Sequence, residues 1–182
     1  MHDKGFAHGR FQILHNDHMK YILAAKHRCR HLIIGITNPE PSLTEFDETD
    51  PKRSAPEANP LSYEERKDML HGALAEAGVE PGEYSLSPFP INFPELYEKY
   101  LSSDVVCFLT IYDEWGEKKL GMFESQGFQT EILWQKSISE KGIISSDIRN
   151  AIKNGYPWEY LVPESVAISM KKNDAIKRIR KS

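Results

Sequence analysis

Several side chains within residues 9–18 are suited to acting together on a polyanion. Arg10 is followed by two histidines three residues apart, His15 and His18. A helix is predicted to begin beside them, because Asn16 is a good capping residue and an apolar pattern at helical spacing follows it. The first turn of a helix offers free N–H groups and partial positive charge. These donors together predict a phosphate-binding site.

The elements on either side of this run must hold it in place. A short apolar stretch at residues 6–8 predicts a strand, Gly9 breaks it, and the helix follows from residue 17 to about residue 29. Further along, short apolar runs alternate with amphipathic segments. The predicted strands are 6–8, 31–37, 84–88, 105–109 and 129–134, and the further helices are 62–77, 94–101, 114–126, 145–154 and 163–173.

This alternation predicts an α/β fold with a doubly wound, parallel, five-stranded sheet. The near-continuous apolar run at 31–37 is typical of a strand that is covered on both faces. Ligands of such sheets bind beyond the carboxyl ends of the strands, at the switch point. We therefore expect the loop that begins at Gly9 to lie in the binding site.

Residues 38–60 are predicted to form a long irregular loop that contains five prolines. A loop of this length in a small domain usually serves as a lid or a binding loop. The sequence Ser62-Tyr63-Glu64-Glu65 that follows it reads as a capping box, which predicts the start of a helix. In the loop itself, Arg53 is a candidate for closing over phosphate or substrate.

Length and composition predict one domain over residues 1–182 and exclude several classes of protein. A net charge of −4 argues against non-specific nucleic-acid binding, and no apolar run approaches the ~20 residues that span a bilayer. Two cysteines in no motif, with no signal-type segment, predict a cytoplasmic chain. The histidines and cysteines lack structural-zinc spacing, so no residue is assigned as a metal ligand. The oligomeric state stays open, a homo-oligomer included.

The run Gly-Arg-Phe-Gln-Ile-Leu-His-Asn-Asp-His at 9–18 resembles a known signature. The nucleotidyltransferase superfamily carries a His-x-x-His motif, and its archaeal-type nicotinamide-nucleotide adenylyltransferases open with G-R-F-Q-P-F-H-x-G-H. The late stretch Ile-Ser-Ser-Asp-Ile-Arg at 144–149 is similar to the phosphate-binding S-G-T-x-I-R of that family, and Gly-Tyr-Pro-Trp-Glu-Tyr-Leu-Val-Pro at 155–163 is similar to its closing motif. The resemblance covers nearly the whole chain and implies a Rossmann-like nucleotidyltransferase fold.

The resemblance also implies a reaction and a set of roles. A phosphate oxygen of the acceptor attacks the α-phosphorus of a nucleoside triphosphate in line, and pyrophosphate leaves. Catalysis of this kind needs positioning and positive charge rather than a general base. His18 would grip the α-phosphate and His15 the outer phosphates, as the catalytic pair.

The remaining expected contacts are with the nucleotide. Gly9 and Arg10 would bind phosphate from the first loop, and Ser145, Ser146 and Arg149 from the start of the late helix. A Mg²⁺ ion is expected as cofactor, bridging phosphates and keeping most of its water. The partners are then a nucleoside triphosphate, ATP or alternatively CTP, and a phosphate-bearing acceptor.

Three departures bear on the acceptor and on activity. Asp17 stands where the family has glycine, and in an active enzyme it must turn toward backbone N–H groups or the bound cation; replacing it with glycine would then keep or raise activity. Tyr97 falls near the aromatic residue that stacks on nicotinamide in the family, although a packed core residue fits equally well. After the fourth strand, Thr-Ile-Tyr-Asp-Glu-Trp-Gly at 110–116 replaces the S-G-N of the family.

Three functions remain open from the sequence. The first is adenylyl transfer from ATP to nicotinamide mononucleotide, which makes NAD. The second is cytidylyl or adenylyl transfer to another phosphate or phosphonate acceptor. The third is a regulatory protein that binds nucleotide and has lost catalysis through Asp17.

Overall fold

Five parallel strands form one sheet in the order β3-β2-β1-β4-β5. The computed structural model describes residues 1–40 and 55–181. The strands are β1 His2–Gly9, β2 Cys29–Thr37, β3 Tyr84–Phe89, β4 Val106–Ile111 and β5 Gln129–Gln135. The chain builds outward from β1 to β3, returns to the centre at β4, and ends at β5. The prediction of a doubly wound parallel sheet is confirmed.

Helices connect the strands on both faces of the sheet. They are α1 Asn16–Lys26, α2 Tyr63–Glu76, α3 Glu114–Ser125, α4 Ser145–Asn154, α5 Glu164–Lys172 and α6 Ala175–Lys181. The capping box at the start of α2 is confirmed, because the Ser62 side chain accepts from the Glu65 N–H and the Glu65 carboxylate accepts from the Ser62 N–H. Within the described part of the chain, no helix is long and apolar enough to cross a membrane.

The element boundaries differ from the prediction in a few places. Strand β1 begins at His2, well before the apolar residues, because its ladder with β2 already pairs His2 with Cys29. The segment expected as a short helix at 94–101 is a 3-10 helix, Pro94–Lys99. The basic C-terminal run belongs to a separate helix, α6, which follows a break at the extended residue Asn173.

The core lies in two layers, one on each face of the sheet. Successive residues of a strand point to opposite faces. Accordingly, Ala7 and Phe108 pack with α1, α2, α4, α5 and α6, whereas Phe6 and Cys107 pack with α3 and the 3-10 helix. The second layer is dominated by aromatic rings, including Phe89, Tyr97 and Phe123.

The switch point between β1 and β4 is held open by a tyrosine. The register of these two strands covers two residue pairs, Gly5 with Val106 and Phe6 with Cys107. Beyond them the hydroxyl of Tyr21 lies between the strands: it accepts from the His8 N–H at 3.2 Å and donates to the Phe108 carbonyl at 2.7 Å. The separated strand ends form the crevice in which this class of sheet binds ligands.

Candidate active site

A cavity opens at the carboxyl ends of β1 and β4, between the N-termini of α1 and α4. Its lining from the described residues includes every residue of the expected catalytic and phosphate-binding set, namely Gly9, Arg10, His15, His18, Ser145, Ser146 and Arg149. Arg10, Lys119, Lys141 and Arg149 bring four cationic side chains to it, against the carboxylates of Asp17 and Asp113. The excess of positive charge favours a polyanionic ligand.

The two histidines are joined by a helix cap. His15 is the N-cap of α1, and its Nδ1 accepts from the backbone N–H of His18 at 3.3 Å. The two rings stack with centroids 3.6 Å apart and planes 17° from parallel. Because Nδ1 of His15 accepts, the proton of its neutral ring is on Nε2, which can donate to a phosphate oxygen.

Burial controls the charge of His15. The side chain is 4% exposed, and desolvation lowers the pKa of His15 to about 4, despite the opposing effect of Asp17. His15 is therefore a neutral donor at neutral pH before a phosphate arrives. Positive charge at the site then comes from the guanidinium and ammonium groups and from the helix N-termini.

The loop after β1 is shaped by close packing and by a buried guanidinium. A Cβ at Gly9 would lie 2.7 Å from the Phe11 ring, so the turn requires glycine there. The side-chain amide of Gln12 donates to the Leu61 carbonyl and accepts from the Leu61 N–H, both at 2.9 Å. These contacts fix the loop against the segment that leads into α2.

The side chain of Arg66 also holds the loop after β1 in place. Although it is a charged residue in the first turn of α2, it is 1% exposed. Its guanidinium donates to the carbonyls of Arg10 at 2.9 Å, Thr37 at 2.7 Å and Asn38 at 2.8 Å, and to that of Ser62 at 3.1 Å. It thereby joins the ends of β1 and β2 to the start of α2.

The N-terminus of α4 is built to meet an anion. Its N-cap is Ile144, and among the described residues no side chain caps its first turn. The Ser145 hydroxyl instead donates to the Ile13 carbonyl at 3.0 Å, and the Arg149 guanidinium donates to the Gln12 carbonyl. Both bonds join α4 to the loop that carries the histidines, and neither uses a first-turn N–H group of α4.

The Asp17 carboxylate, which lines the cavity, accepts two hydrogen bonds. Its Oδ2 accepts from the backbone N–H of Ile143 at 2.7 Å, and its Oδ1 accepts from the Lys20 ammonium at 2.5 Å. Partial burial alone would raise the pKa of Asp17, but the bonds from Lys20 and Ile143 hold it below the usual value. The carboxylate does face a backbone N–H group, as expected. That group belongs to Ile143, in the segment before α4, and not to the helix of Asp17 itself.

Two expected substrate contacts have a different outcome. Tyr97 is fully buried among Phe89, Phe123 and Phe128, and its hydroxyl donates to the Ile91 carbonyl at 2.6 Å. It lies outside the lining that the described residues give the cavity. Tyr97 is therefore the packed core residue that the sequence left as the alternative, because its hydroxyl finds a partner inside the second core layer. Arg53 lies outside the described residues.

Sequence reasoning missed several residues that form or support the lining of the cavity. Lys141 lies with its ammonium 3.3 Å from the Asp113 carboxylate and 5.6 Å from the centroid of the Tyr112 ring. The Tyr112 hydroxyl accepts from the Trp134 indole N–H at 2.6 Å. The sequence marked segment 110–116 as a departure from the family, and this departure supplies one wall of the cavity. His8, at the end of β1, also lines it.

The residues present fit a divalent ion that is held mainly by the ligand. Across residues 1–40 and 55–181, no group of three histidine, cysteine or acidic side chains is placed to form a metal site. The oxygens of Asp17 already accept from Lys20 and Ile143. Mg²⁺ commonly binds through phosphate oxygens and water with few protein ligands, so this arrangement suits it.

The fold and the phosphate-directed cavity define a nucleotidyltransferase. Residues 6–151 match the Cytidylyltransferase-like family, and the chain belongs to that family. A solved structure of a bifunctional NMN adenylyltransferase/ADP ribose pyrophosphatase from Francisella tularensis superposes with a TM-score of 0.71 at 17% identity, over 100% of this chain and 53% of that one. At this identity the likeness shows the fold alone.

Two kinds of curated relative match almost the whole chain. The chain is 44% identical over 176 residues to a phosphonoformate cytidylyltransferase from Streptomyces viridochromogenes, covering 97% of this chain and 95% of the relative. It is 32% identical over 182 residues to a nicotinamide-nucleotide adenylyltransferase from Thermococcus onnurineus, covering 99% and 88% respectively. The resemblance to the adenylyltransferases is confirmed, and a cytidylyltransferase is the more similar of these two relatives.

Proposed function

We propose that this protein transfers a cytidylyl group from CTP to a small phosphonate-bearing or phosphate-bearing acceptor. The 44% identity to a phosphonoformate cytidylyltransferase supports the donor and the acceptor class. The observation in the structure that carries the choice of a small acceptor is the burial of Tyr97. An aromatic residue expected to stack on nicotinamide is instead committed to the core, with its hydroxyl satisfied by Ile91.

The transfer is a single in-line displacement. An anionic oxygen of the acceptor forms a bond to the α-phosphorus of CTP, and the bond from that phosphorus to the bridging oxygen of the β-phosphate breaks. The electron pair leaves with pyrophosphate. The nucleophile is already ionised near neutral pH, so no side chain needs to remove a proton. The protein supplies alignment and stabilises charge on the equatorial and leaving oxygens.

The site residues divide this work. His18, in the first turn of α1, donates to the α-phosphate, and neutral His15 donates through Nε2 to the outer phosphates. Ser145 and Ser146 present the first-turn N–H groups of α4 to the β- and γ-phosphates. Arg149, one turn later, adds positive charge to the same phosphates. When bound, Mg²⁺ supplies further neutralisation of the triphosphate charge.

The electrostatics of the cavity suit a small, densely charged acceptor. Lys119 and Lys141 line the cavity together with Arg10 and Arg149, so four cationic side chains contribute to its lining. A phosphonate with a second acidic group would gain from this arrangement. The nicotinamide ring of nicotinamide mononucleotide is a cationic pyridinium and would gain nothing from it, and the aromatic residues of the second core layer are engaged with one another.

A second candidate is adenylyl transfer from ATP to nicotinamide mononucleotide. Similarity to nicotinamide-nucleotide adenylyltransferases favours it, since relatives from Thermococcus onnurineus and Pyrococcus furiosus are both 32% identical over at least 97% of this chain. The phosphate-binding parts of the cavity serve both reactions equally. The two candidates differ in the nucleobase and in the acceptor.

Pyrophosphate release by the wild-type protein separates them. CTP and ATP are each combined with phosphonoformate, with a simple alkylphosphonate and with nicotinamide mononucleotide. We expect turnover with CTP and a phosphonate. Turnover confined to ATP with nicotinamide mononucleotide would replace the proposal with the second candidate. Nucleotide binding without turnover in any combination would favour a regulatory protein.

A further inference from the structure

We propose that Asp17 is a positioning residue that holds the two phosphate-binding helix N-termini in register. The proposal rests on the proposed nucleotidyl transfer, because it concerns how that site is assembled. Asp17 lies in the first turn of α1, and Ile143 lies two residues before α4. The bond from the Ile143 N–H to Oδ2 of Asp17, 2.7 Å long, joins positions 126 residues apart in the sequence.

Two further hydrogen bonds between described residues also join these two parts of the site. The Ser145 hydroxyl donates to the Ile13 carbonyl, and the Arg149 guanidinium donates to the Gln12 carbonyl. In the bond to Asp17, a backbone N–H meets a carboxylate, and hydrogen bonds to charged acceptors are stronger than neutral ones. Asp17 therefore fixes the approach of the segment leading into α4, whereas the other two bonds fix α4 itself.

The absence of a side chain at Gly142 leaves the space that the Asp17 carboxylate occupies. A Cβ at position 142 would lie 2.2 Å from Oδ2 of Asp17, which is well inside contact distance. Among the described residues, the three heavy atoms nearest to such a Cβ all belong to the Asp17 side chain, the third of them 3.8 Å away. The aspartate and the glycine thus form a coupled pair: the side chain at 17 occupies the space that a side chain at 142 would need.

This pairing reverses the expectation drawn from the sequence for Asp17→Gly. Glycine at position 17 restores the usual residue of the family, but here it removes the acceptor for the Ile143 N–H. Asp17→Asn is the matched variant. Both substitutions remove the negative charge beside the triphosphate, and asparagine alone keeps an oxygen that can accept from Ile143.

Calorimetric titration with CTP, and separately with ATP, measures the effect on nucleotide affinity. We expect Asp17→Gly to bind the preferred nucleotide about tenfold more weakly than Asp17→Asn, as for loss of a hydrogen bond to a strong acceptor. Exchange of the Ile143 amide hydrogen should be fast in Asp17→Gly and slow in wild type and Asp17→Asn. Equal affinity and equal Ile143 exchange in the two variants would overturn the proposal.

A double-mutant cycle tests the coupling with Gly142. We expect Gly142→Ala to weaken nucleotide binding in the wild type and to have little effect in the Asp17→Gly background. Equal effects in both backgrounds would show that the two positions are not coupled, and would overturn the pairing. The comparison does not require wild-type geometry in every variant, because it depends on the difference between the backgrounds.

Another carboxylate that accepts from the backbone N–H groups of a sequence-distant segment, outside the cavity lining, serves as control. The Glu76 carboxylate, at the end of α2, accepts from the backbone N–H groups of Glu164 and Ser165 at 3.1 and 2.9 Å. Glu76→Ala should lower the melting temperature without changing nucleotide affinity. If it weakens nucleotide binding as much as Asp17→Gly does, the effect of Asp17 is general destabilisation and not positioning.

The outcomes for this proposal and for the proposed function are distinct. Nucleotide affinity is measured without acceptor, so a failure of every acceptor to turn over counts against the proposed function alone. If the wild type binds neither nucleotide, the proposed function fails. Exchange of the Ile143 amide hydrogen, together with melting temperatures measured on the four proteins of the Gly142 cycle, still decides whether Asp17 holds the Ile143 segment.

Discussion

The rings of His15 and His18 lie stacked, with their centroids 3.6 Å apart, and a hydrogen bond from the His18 N–H to Nδ1 of His15 links the same two residues. The His15 imidazole therefore caps α1, and the His18 imidazole lies in the first turn of the same helix. The cap fixes the tautomer of His15, and the stack fixes the separation of the two donors. Alignment of the pair is built into the fold before a nucleotide binds.

The buried state of His15 predicts a dependence of stability on pH. Its pKa is about 4 in the folded protein, against an ordinary value of 6.5 in the unfolded chain. Between these two pH values the unfolded chain binds more protons than the folded protein. The contribution of His15 to the free energy of unfolding is therefore fully present above about pH 6.5 and is lost as the pH falls toward 4. The shift corresponds to about 3 kcal/mol. Urea unfolding at a series of pH values measures this fall.

His15→Asn should flatten that part of the profile. Asparagine keeps a capping oxygen for the His18 N–H and does not titrate. The control is His27→Asn, the same substitution at the exposed C-terminal end of the same helix, and its profile is compared with that of His15→Asn. A His15→Asn protein with the full wild-type slope between pH 4 and 6.5 would contradict the assignment.

His18→Ala should abolish most turnover at little cost in stability. The residue lies in the cavity lining, and loss of one electrostatic donor to a transition state typically lowers kcat by about 10²–10³. The melting temperature should stay near that of the wild type. His27→Ala is again the matched control and should keep full activity. Most of the activity surviving in His18→Ala, with every nucleotide and acceptor tried, would remove His18 from catalysis.

Arg66→Lys should be strongly destabilising although it conserves the charge. Burial lowers the pKa of Arg66 to about 10, which is still well above neutral pH, so the guanidinium stays protonated. Its N–H groups donate to four backbone carbonyls. An ammonium cannot reproduce that planar fork, and unsatisfied buried carbonyls should cost about 3 kcal/mol in all. Denaturant unfolding measures the loss.

The control for this change is Arg178→Lys. Arg178 makes a close two-oxygen contact with Glu65, at 2.6 and 2.7 Å, but on the exposed surface. Exposed ion pairs contribute about 1 kcal/mol or less. An Arg66→Lys protein no less stable than Arg178→Lys would show that the clamp does not hold the ends of β1 and β2.

What the sequence predicted well was encoded locally. The histidine pair beside a helix start and the capping box at Ser62 each depend on residue types within one helical turn. The same holds for Ser145 and Arg149, whose spacing puts both at the start of one helix. The cap of α1 itself was wrong by one residue, because the side chain of His15, and not that of Asn16, accepts the first-turn N–H of His18. The parallel, doubly wound sheet followed from the alternation of buried runs with helices, because parallel neighbours require a crossover between them.

What the sequence did not predict depends on distant contacts. The partner of Asp17 lies 126 residues away, and Arg66 reaches the Arg10 carbonyl across 56 residues. Tyr97 was ambiguous because an aromatic residue after a strand suits a ligand or a core equally. Its burial follows from a cluster of rings contributed by β1, β3 and α3, which no local pattern reveals.

Arg149→Lys should weaken nucleotide binding more than a comparable change outside the cavity. Burial lowers the pKa of Arg149 somewhat, and its guanidinium both donates to the Gln12 carbonyl and lines the phosphate side of the cavity. Lysine can replace its charge but not its two-pronged geometry, so the dissociation constant for CTP or ATP should rise about tenfold. Arg10→Lys should act in the same direction, since Arg10, in the loop after β1, also lines the cavity. The control is Arg180→Lys, because Arg180 also donates to a backbone carbonyl, that of Ile152 at 3.2 Å, but lies outside the lining that the described residues form. Calorimetry should show a change of about twofold or less for this control. Affinities equal to that of Arg180→Lys in both cavity variants would remove Arg10 and Arg149 from the nucleotide site and leave the α4 N–H groups as the principal phosphate contact.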